Sequence, residues 1–463
     1  MRHPASFRDP SGFVFRNGND LLRAVHHSYR SEYDAIVDSG LFRELWRREL
    51  LVPHEEVPVE QAQTDQAYRV LRPQLIPFIS YPYEWCFEQL REAALLTLDV
   101  QARALEFGFT LRDSSHFNTQ FLGAKPIFID SLSFERYRPG QPWAAYGQFC
   151  RHFLAPLLLM ARKDERMGAL LQASQDGVPL DLASKLLPKR TWLGPSTLIH
   201  LHLHARTVKA YEGRAVPQRA KEKGLDRSGL ITLVESLRDL VLGLPSPRRD
   251  TEWAAYDQEH AYAPDETEAK ERIIQAVIDS VRPRMTWDMG ANVGRFSALA
   301  RSTGSQVVAM DIDYGATARH FTALSERGET GILPIRIDLA QPSPGLGWAN
   351  RERDSLLDRG PADLALALAL VHHLRVSAGV PFSVMAPFFA GLAPRLIVEW
   401  VPRTDPQVER LLRSRPDTFP DYTREAFIDA FVAHFEPRSA HPVGATGREL
   451  LVFESRAQGE GSL

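Results

Sequence analysis

One stretch, residues 285–312, constrains the fold of this chain more than any other. Two short apolar segments each end at an acidic residue, and a glycine-containing turn and a helix-like run separate them. In chain order the parts are Met285–Trp287, Asp288, Gly290, Gly294, Arg295–Ser302, Gln306–Met310 and Asp311. The order strand, glycine turn, helix, strand predicts a βαβ unit with parallel strands.

The turn and the second acid have the chemistry of a nucleotide pocket. Glycine lets a ligand approach the backbone, and an acid about 20 residues on can accept hydrogen bonds from ribose hydroxyls. The spacing here is D-x-G-x-x-x-G, and Arg295 stands where a dinucleotide fingerprint has its third glycine. The pattern resembles motif I of the class I S-adenosylmethionine-dependent methyltransferases. The alternative is an ordinary βα turn of an unrelated doubly wound domain.

This resemblance implies a role for each motif residue. Asp288 is expected near the amino-acid end of the cofactor, and Asp311 is expected to hold its ribose. Gly290 and Gly294 are expected to back the centre of the cofactor, with Asn292 between them. The implied cofactor is therefore S-adenosylmethionine, and no metal is implied.

Two residues outside the motif complete the cofactor set that the resemblance implies. A third predicted strand, Ile332–Ile337, ends at Asp338, which inherits the contact with the adenine amino group. Tyr262 lies just before the predicted helix Asp265–Val281 and is the candidate to lie over the bound cofactor. Packing in the core is the alternative role for Tyr262.

Polar residues also follow the fourth and fifth predicted strands. Asp363–Val371 reads as a strand buried on both faces and ends at His372 and His373, and Arg395–Glu399 ends at Glu399. Ligands bind beyond the carboxyl ends of such strands. Either histidine could therefore deprotonate a substrate hydroxyl or merely shape the pocket, and Glu399 is a further catalytic candidate. The order βαβαβαβαβαβ predicts a Rossmann-like, doubly wound α/β domain over residues 250–455, with a final hairpin at its edge.

Residues 1–245 are expected to form a separate α+β domain. Its predicted elements are a hairpin over Gly12–Val25, a helix over Ser31–Trp46, strands that include Leu75–Ile79, and a helix over Glu84–Phe107. Asp113 then precedes Asn118 by five positions, and Asp130 ends an apolar strand. This order resembles the catalytic segment of the protein-kinase and aminoglycoside-kinase fold, which implies a base at Asp113 and magnesium ligands at Asn118 and Asp130.

The same region departs from a kinase at several positions. The hairpin turn is not a G-x-G-x-x-G loop, Arg23 stands in place of the phosphate-pairing lysine, and Asp130-Ser131-Leu132 replaces D-F-G. A domain that resembles a pseudokinase and orients substrate fits these departures. Capping of a loop by Asp113 and Asn118 is the alternative.

Composition excludes several classes of function. The formal net charge is −3, so no basic field indicates nucleic acid. Two cysteines cannot form a zinc set or a disulfide framework, and His200, His202 and His204 have no carboxylate or cysteine nearby to complete a metal site. The amino terminus has no apolar signal segment, and the apolar runs are too short for membrane insertion. We therefore expect a cytoplasmic protein.

The sequence thus predicts a methyltransferase that O-methylates a small-molecule or saccharide-type acceptor, with residues 1–245 serving substrate recognition. The whole chain also resembles nodulation-type host-specificity proteins, which implies an acceptor of saccharide or other natural-product type. Two alternatives remain open. One is a bifunctional kinase–methyltransferase that uses Mg-ATP at Asp113, Asn118 and Asp130, and the other is a non-enzymatic scaffold.

Overall fold

A computed structural model describes residues 2–211, 225–247, 264–413 and 418–456. The chain forms two compact units, one of residues 1–248 with 347–352 and the other of residues 249–346 with 353–463. Within the described ranges, no helix is both long enough and apolar enough to cross a bilayer.

The first unit begins with a four-stranded antiparallel sheet in the order β1-β2-β4-β3. Two helices connect β2 to β3. The elements are β1 (Gly12–Asn17), β2 (Asp20–His26), α1 (Arg30–Ser39), α2 (Leu41–Arg47), β3 (His54–Val57) and β4 (Ala67–Pro73). The single helix predicted over Ser31–Trp46 is wrong, because Gly40 adopts a φ of +81° and ends α1 there. The strand predicted over Leu75–Ile79 is also wrong, since Pro77 lacks the N–H that a strand ladder needs.

A long buried helix and two short hairpin-like pairs follow the sheet. They are α3 (Phe87–Glu106), β5 (Phe109–Leu111), β6 (Thr119–Leu122), β7 (Lys125–Phe128) and β8 (Phe134–Arg136), with β5 paired to β8 and β6 to β7. Leu96, Val100 and Ala104 of α3 belong to one core cluster with residues of the first sheet and of α1 and α2. In its order of sheet, connecting helix, long helix, polar loop and strand pair, this region resembles a degenerate kinase fold.

After β8, the described part of the first unit is mainly helical. Its helices are α4 (Tyr146–Phe149), α5 (Ala155–Arg162), α6 (Leu170–Ala173), α7 (Leu180–Leu186), α8 (Pro195–Thr197), α9 (His204–Tyr211) and α10 (Arg227–Leu242). The buried His200 pairs with the hydroxyls of Tyr146 and Ser236, both at 2.9 Å. Its ring nitrogens are therefore satisfied by hydroxyl groups, as expected of a histidine inside a core.

The second unit is a seven-stranded sheet in the order β11-β10-β9-β12-β13-β15-β14. The elements are α11 (Pro264–Val281), β9 (Met285–Met289), α12 (Arg295–Ser302), β10 (Gln306–Asp311), α13 (Tyr314–Glu326), β11 (Ile332–Arg336), β12 (Leu364–Ala367), α14 (Phe382–Leu392), β13 (Arg395–Trp400), α15 (Pro406–Arg413), α16 (Arg424–Val432), β14 (Phe435–Val443) and β15 (Arg448–Ser455). Strands β9 to β13 are parallel, and β15 and β14 form an antiparallel hairpin at the edge. The predicted doubly wound α/β fold and its final hairpin are confirmed.

The strand order of the second unit indicates where the candidate site lies. It runs one way from β9 through β10 to β11 and the other way from β9 through β12 to β13. Such a reversal opens a crevice beyond the carboxyl ends of the strands, where doubly wound domains bind ligands. The strand predicted to reach Val371 ends at Ala367, because the chain turns at Leu368 and Ala369, where Ala369 has a φ of +50°. His372 and His373 therefore lie on a short helical segment beyond the strand.

Candidate functional site

Three residues of the turn after β9 have left-handed backbone conformations. Gly290, Asn292 and Gly294 have φ values of +81°, +48° and +83°. The N–H groups of Gly290 and Ala291 both donate to the carbonyl of Met310 in β10, at 2.8 and 2.9 Å. The turn is thereby fixed to the neighbouring strand.

The two motif glycines meet different surroundings. A Cβ added to Gly290 would have only ordinary contacts, the nearest being the Leu368 carbonyl oxygen and the Leu370 side chain at 3.8 Å. A Cβ added to Gly294 would lie 2.0 Å from ring atoms of His320. A Cβ at Gly290 would therefore fit in ordinary van der Waals contact with the turn that follows β12, whereas Gly294 is needed for packing against α13.

Asp311 lies at the carboxyl end of β10 and is fixed by two backbone N–H groups. Its Oδ2 accepts from Asn292 and its Oδ1 from Asp313, both at 2.8 Å. Burial raises the pKa of Asp311 above its usual value, and the backbone donors of Asp313 and Asn292 oppose that rise. Each oxygen keeps a lone pair, so this carboxylate can accept two further hydrogen bonds from vicinal hydroxyls.

Asp288 is buried within β9, and its Oδ2 accepts from the hydroxyl of Ser297 at 2.6 Å. Burial raises the pKa of Asp288 to about 6, with the Ser297 hydrogen bond opposing the shift and the charge of Asp311 adding to it. The carboxylate therefore lies in an environment that disfavours its negative charge. A cationic group placed nearby would stabilise the ionised form.

We expect the ligand-free Asp288→Asn variant to gain stability relative to the wild type as the pH rises. With a folded pKa of about 6 and an unfolded value near 3.9, the wild type binds the proton more tightly when folded. Its stability therefore falls as the pH rises from about 4 to 6. The asparagine variant lacks this loss, so its advantage should grow by about 1 kcal/mol between pH 5 and 7. Calorimetric unfolding of both proteins at pH 5, 6 and 7 measures it, and an advantage that does not change with pH would contradict the assignment.

Two buried polar atoms beside this crevice have no hydrogen-bond partner among the residues that the structure describes. They are Oδ1 of Asn292 and Nδ1 of His372. Buried polar atoms are normally paired. Together with the lone pairs of Asp311, they fit a ligand that carries hydroxyl and amino groups. The residues thus fit S-adenosylmethionine, which has both.

The histidine pair follows the turn after β12. His372 is 2% exposed, and its ring centroid lies 4.2 Å from that of His373. Burial lowers the pKa of His372 well below its usual value, and the nearby His373, Arg448 and Lys270 lower it further. Burial also lowers the pKa of His373. Both imidazoles are therefore neutral near pH 7, the form that accepts a proton.

Glu399 is wholly buried and does not open onto the crevice. Its Oε2 accepts from the ammonium of Lys270 at 2.6 Å and from the backbone N–H of Ala369 at 2.9 Å. Arg448 lies 3.7 Å from its Oε1, and Arg448 also pairs with Asp405 at 2.7 Å. The carboxylate that the sequence suggested as catalytic is thus the centre of a buried charge network.

One further predicted cofactor residue, Asp338, lies in the loop after β11. Asp338 follows β11, is partly buried, and accepts the N–H of Ala340 at 2.9 Å. Tyr262 lies outside the described residues. The contacts of Asp338 are therefore those of a loop residue at the carboxyl edge of the sheet.

Sequence reasoning missed Lys270, although a signal for it exists. Lys270, Ile274 and Ile278 recur at every fourth position of α11, and all three are buried. A lysine in the apolar stripe of a helix predicts a buried cation that needs a carboxylate partner. That partner is Glu399, which comes 129 residues later in the chain.

The kinase-like residues of the first unit lie close together. Ser133 connects two of them, since its hydroxyl donates to Asp130 at 2.6 Å and lies 3.2 Å from the amide nitrogen of Asn118. Asp113 accepts the N–H of Ser115, and burial raises its pKa above the usual value. The guanidinium of Arg23 lies 2.8 Å from Asp130. In the described part of the chain, no group of three or more histidine, cysteine, aspartate or glutamate residues is arranged to hold a metal.

The strand order, the edge hairpin and the glycine turn at the point of reversal define the class I S-adenosylmethionine-dependent methyltransferase fold. Comparison with curated proteins then gives the family. The chain is 32% identical over 459 residues to nodulation protein NoeA of Rhizobium meliloti (strain 1021), over 98% of this chain and 96% of that protein. The chain belongs to that family. No protein-family model matches it.

Solved structures with partial similarity include two methyltransferases and one bifunctional enzyme. Magnesium protoporphyrin IX methyltransferase (ChlM) from Synechocystis PCC 6803 is 19% identical, over 41% of this chain and 84% of its own, with a TM-score of 0.29. The methyltransferase domain of bacterial CtHen1-C is 17% identical, over 42% and 100%, with a TM-score of 0.30. The bifunctional kinase-methyltransferase WbdD is 15% identical, over 43% and 41%, with a TM-score of 0.29. The fold assignment rests on the strand order and not on these partial similarities.

Proposed function

We propose that this protein transfers the methyl group of S-adenosylmethionine to a hydroxyl group of a small-molecule or saccharide-type acceptor. The observation that carries the proposal is the carboxylate of Asp311, which is fixed by the N–H of Asn292 in the glycine turn at the point where the strand order reverses. S-adenosylmethionine supplies an electrophilic methyl group on a sulfonium sulfur. The protein then has to position the acceptor and remove one proton.

The cofactor contacts follow from the donor and acceptor chemistry of the crevice. Asp311 accepts from the ribose hydroxyls, and the unpaired Oδ1 of Asn292 accepts from a further hydroxyl or amino group. Asp288 favours the positively charged end of the cofactor, and Asp338 the adenine amino group. Gly294 shapes the turn from behind, through its contact with His320. Tyr262, before α11, remains the candidate to cover the cofactor.

His372 is the proposed base for the acceptor hydroxyl. It is buried, neutral near pH 7 and has an Nδ1 without a partner in the described part of the chain. His373, whose ring packs against it, is the second candidate, and it shapes the pocket in either case.

We expect His372→Gln to lower kcat by about 100-fold or more, because general-base catalysis contributes typically 10²–10⁴-fold. Affinity for S-adenosylmethionine should change little. Since the pKa of His372 is lowered well below 6.5, the wild-type rate should stay level from pH 8 down to 6.5. Steady-state rates of the wild type, His372→Gln and His373→Gln across this range measure both effects. A His372→Gln variant with the wild-type kcat would exclude the base role.

The first unit is proposed to recognise the acceptor, with residues 1–245 folding as one domain and residues 250–455 as the methyltransferase domain. Membership in the family of a nodulation protein supports an acceptor of saccharide type. The test is transfer of a labelled methyl group from S-adenosylmethionine to a panel of oligosaccharides and phenolic compounds, with the Asp311→Ala variant as control. Transfer by the wild type alone supports the proposal. Cofactor binding without transfer to any of the acceptors would argue for a non-enzymatic scaffold.

The second candidate, phosphotransfer from Mg-ATP, is favoured by the proximity of Asp113, Asn118 and Asp130. Against it, Asp130 already neutralises the guanidinium of Arg23, which also pairs with Asp9 at 3.0 Å. A carboxylate paired in this way is a poor magnesium ligand, since the cation would have to displace the arginine.

We therefore expect that magnesium does not strengthen ATP binding to the wild type. In Arg23→Ala the carboxylate of Asp130 is released, and magnesium dependence should appear there if the site retains a kinase shape. Calorimetric titration of ATP with and without magnesium, on wild type, Arg23→Ala and Asp130→Ala, separates the cases. Magnesium-dependent binding to the wild type that disappears in Asp130→Ala would establish the bifunctional alternative.

A further inference from the structure

A buried ion pair lies directly behind the turn that leads to His372. Lys270 of α11 and Glu399 of β13 are 3% and 0% exposed at their side chains, and 2.6 Å separates the ammonium from the carboxylate. The nearby Arg448 and Asp405 form a second buried pair. The four charges cancel, so the network needs no outside counter-ion.

The pair is also attached to the turn after β12. Glu399 Oε2, the same oxygen that receives Lys270, accepts the backbone N–H of Ala369 at 2.9 Å. Ala369 has a φ of +50°, a left-handed conformation that is strained for a residue with a side chain. Such a conformation persists only where its surroundings hold it, and this hydrogen bond to an ionised acceptor is among the stronger kinds.

The strained turn lies between the two halves of the proposed site. Leu368 and Leu370, on either side of Ala369, supply the atoms nearest to a Cβ added at Gly290. His372 follows three residues after Ala369, and the N–H groups of His373 and Leu374 both donate to the Leu370 carbonyl, at 3.0 and 3.1 Å. The conformation at Ala369 therefore determines both the cofactor-facing wall and the direction in which the histidine segment leaves the sheet.

We propose that Glu399 and Lys270 are positioning residues, which hold the turn at Ala369 so that His372 faces the acceptor. Glu399 supplies the acceptor for the strained N–H, and Lys270 supplies the charge that lets a carboxylate be buried there. This inference rests on the proposed methyltransferase function. It changes the role of Glu399 from a group that touches substrate to one that acts through the backbone.

Two double variants isolate the hydrogen bond from the charge. Lys270→Met with Glu399→Gln removes both charges but keeps a side-chain oxygen for the Ala369 N–H. Lys270→Met with Glu399→Leu removes the same charges and that oxygen as well. Both avoid leaving one buried charge unpaired, a change that strongly destabilises a fold and would confuse the result. The two variants therefore differ at one side chain, which is Gln or Leu at position 399.

The expected result is a kcat about 10- to 100-fold lower in the Met/Leu variant than in the Met/Gln variant, because small misplacements of a catalytic group have effects of this size. Affinity for S-adenosylmethionine should differ much less. Hydrogen exchange of the peptide that contains Ala369, measured in the full-length proteins, should be faster in the Met/Leu variant. Equal kcat and equal exchange in the two variants would overturn the proposal.

The exchange readout also separates this inference from the proposed function. If the wild type transfers no methyl group, the function fails, while faster exchange confined to the Ala369 segment still supports control of the turn by Glu399. If the wild type is active and the two variants exchange alike, the positioning role fails and the function stands.

Discussion

Gly290→Ala should weaken S-adenosylmethionine binding by about tenfold or more, because one misplaced methyl group in a close-fitting pocket costs about 1–3 kcal/mol. The added Cβ meets no protein atom closer than 3.8 Å, so the fold has room for it. That room lies between the glycine turn and the turn after β12, where the cofactor is proposed to bind. Apart from the strain of a left-handed backbone, the effect should therefore appear in affinity and not in stability.

Gly304→Ala is the matched control for this prediction. Gly304 has a φ of +92°, similar to that of Gly290, and nothing lies within 4 Å of its added Cβ. It precedes β10, at the opposite end of the sheet from the crevice. Both variants therefore carry the same kind of backbone strain, about 1–3 kcal/mol, and only Gly290→Ala should lose affinity. Calorimetric titration of both proteins decides, and equal dissociation constants would remove Gly290 from the cofactor site.

Gly294→Ala should instead destabilise the protein by about 2–6 kcal/mol. The added Cβ would lie 2.0 Å from the His320 ring, which is buried in α13 and cannot move into solvent. Overpacking costs about 1–3 kcal/mol, and a left-handed φ of +83° adds about 1–3 kcal/mol for a residue with a side chain. Thermal unfolding measures the loss, with Gly304→Ala again as the control.

A second substitution identifies the cause of that loss. His320→Ala would remove the ring that the new Cβ meets, so the double variant should be more stable than the sum of the single effects predicts. Additive effects would mean that the loss comes from backbone strain alone. Gly294 would then have no specific packing role against α13.

The contrast between these glycines shows where sequence reasoning ends. The spacing D-x-G-x-x-x-G predicted the turn, its strands and its helix, because left-handed conformations and short loops favour glycine locally. The reason for each glycine depends on atoms elsewhere in the chain. A Cβ at Gly294 would clash with His320, whereas a Cβ at Gly290 would make ordinary contacts with Leu368 and Leu370. No local pattern contains that information.

Glu399 illustrates the same limit for side-chain direction. Its position at the end of an apolar strand predicted that it borders the crevice, since strand ends meet there. Successive strand residues point to opposite faces of a sheet, and the structure directs this one towards Lys270. The long-range pairing of an acid in β13 with a lysine in α11 is a consequence of tertiary packing. Arg23 and Asp130 in the first unit are paired for the same reason.

We propose that the crevice beside Asp311 binds S-adenosylmethionine, and a calorimetric titration of this ligand is the test. The wild type should bind at micromolar concentration. Asp311→Ala should bind at least about 100-fold more weakly, because two hydrogen bonds to a charged acceptor contribute about 1.5–3 kcal/mol each. Asp279→Ala, on the exposed face of α11, should bind like the wild type. Absence of binding to the wild type, or equal binding by wild type and Asp311→Ala, would rule out S-adenosylmethionine binding at Asp311.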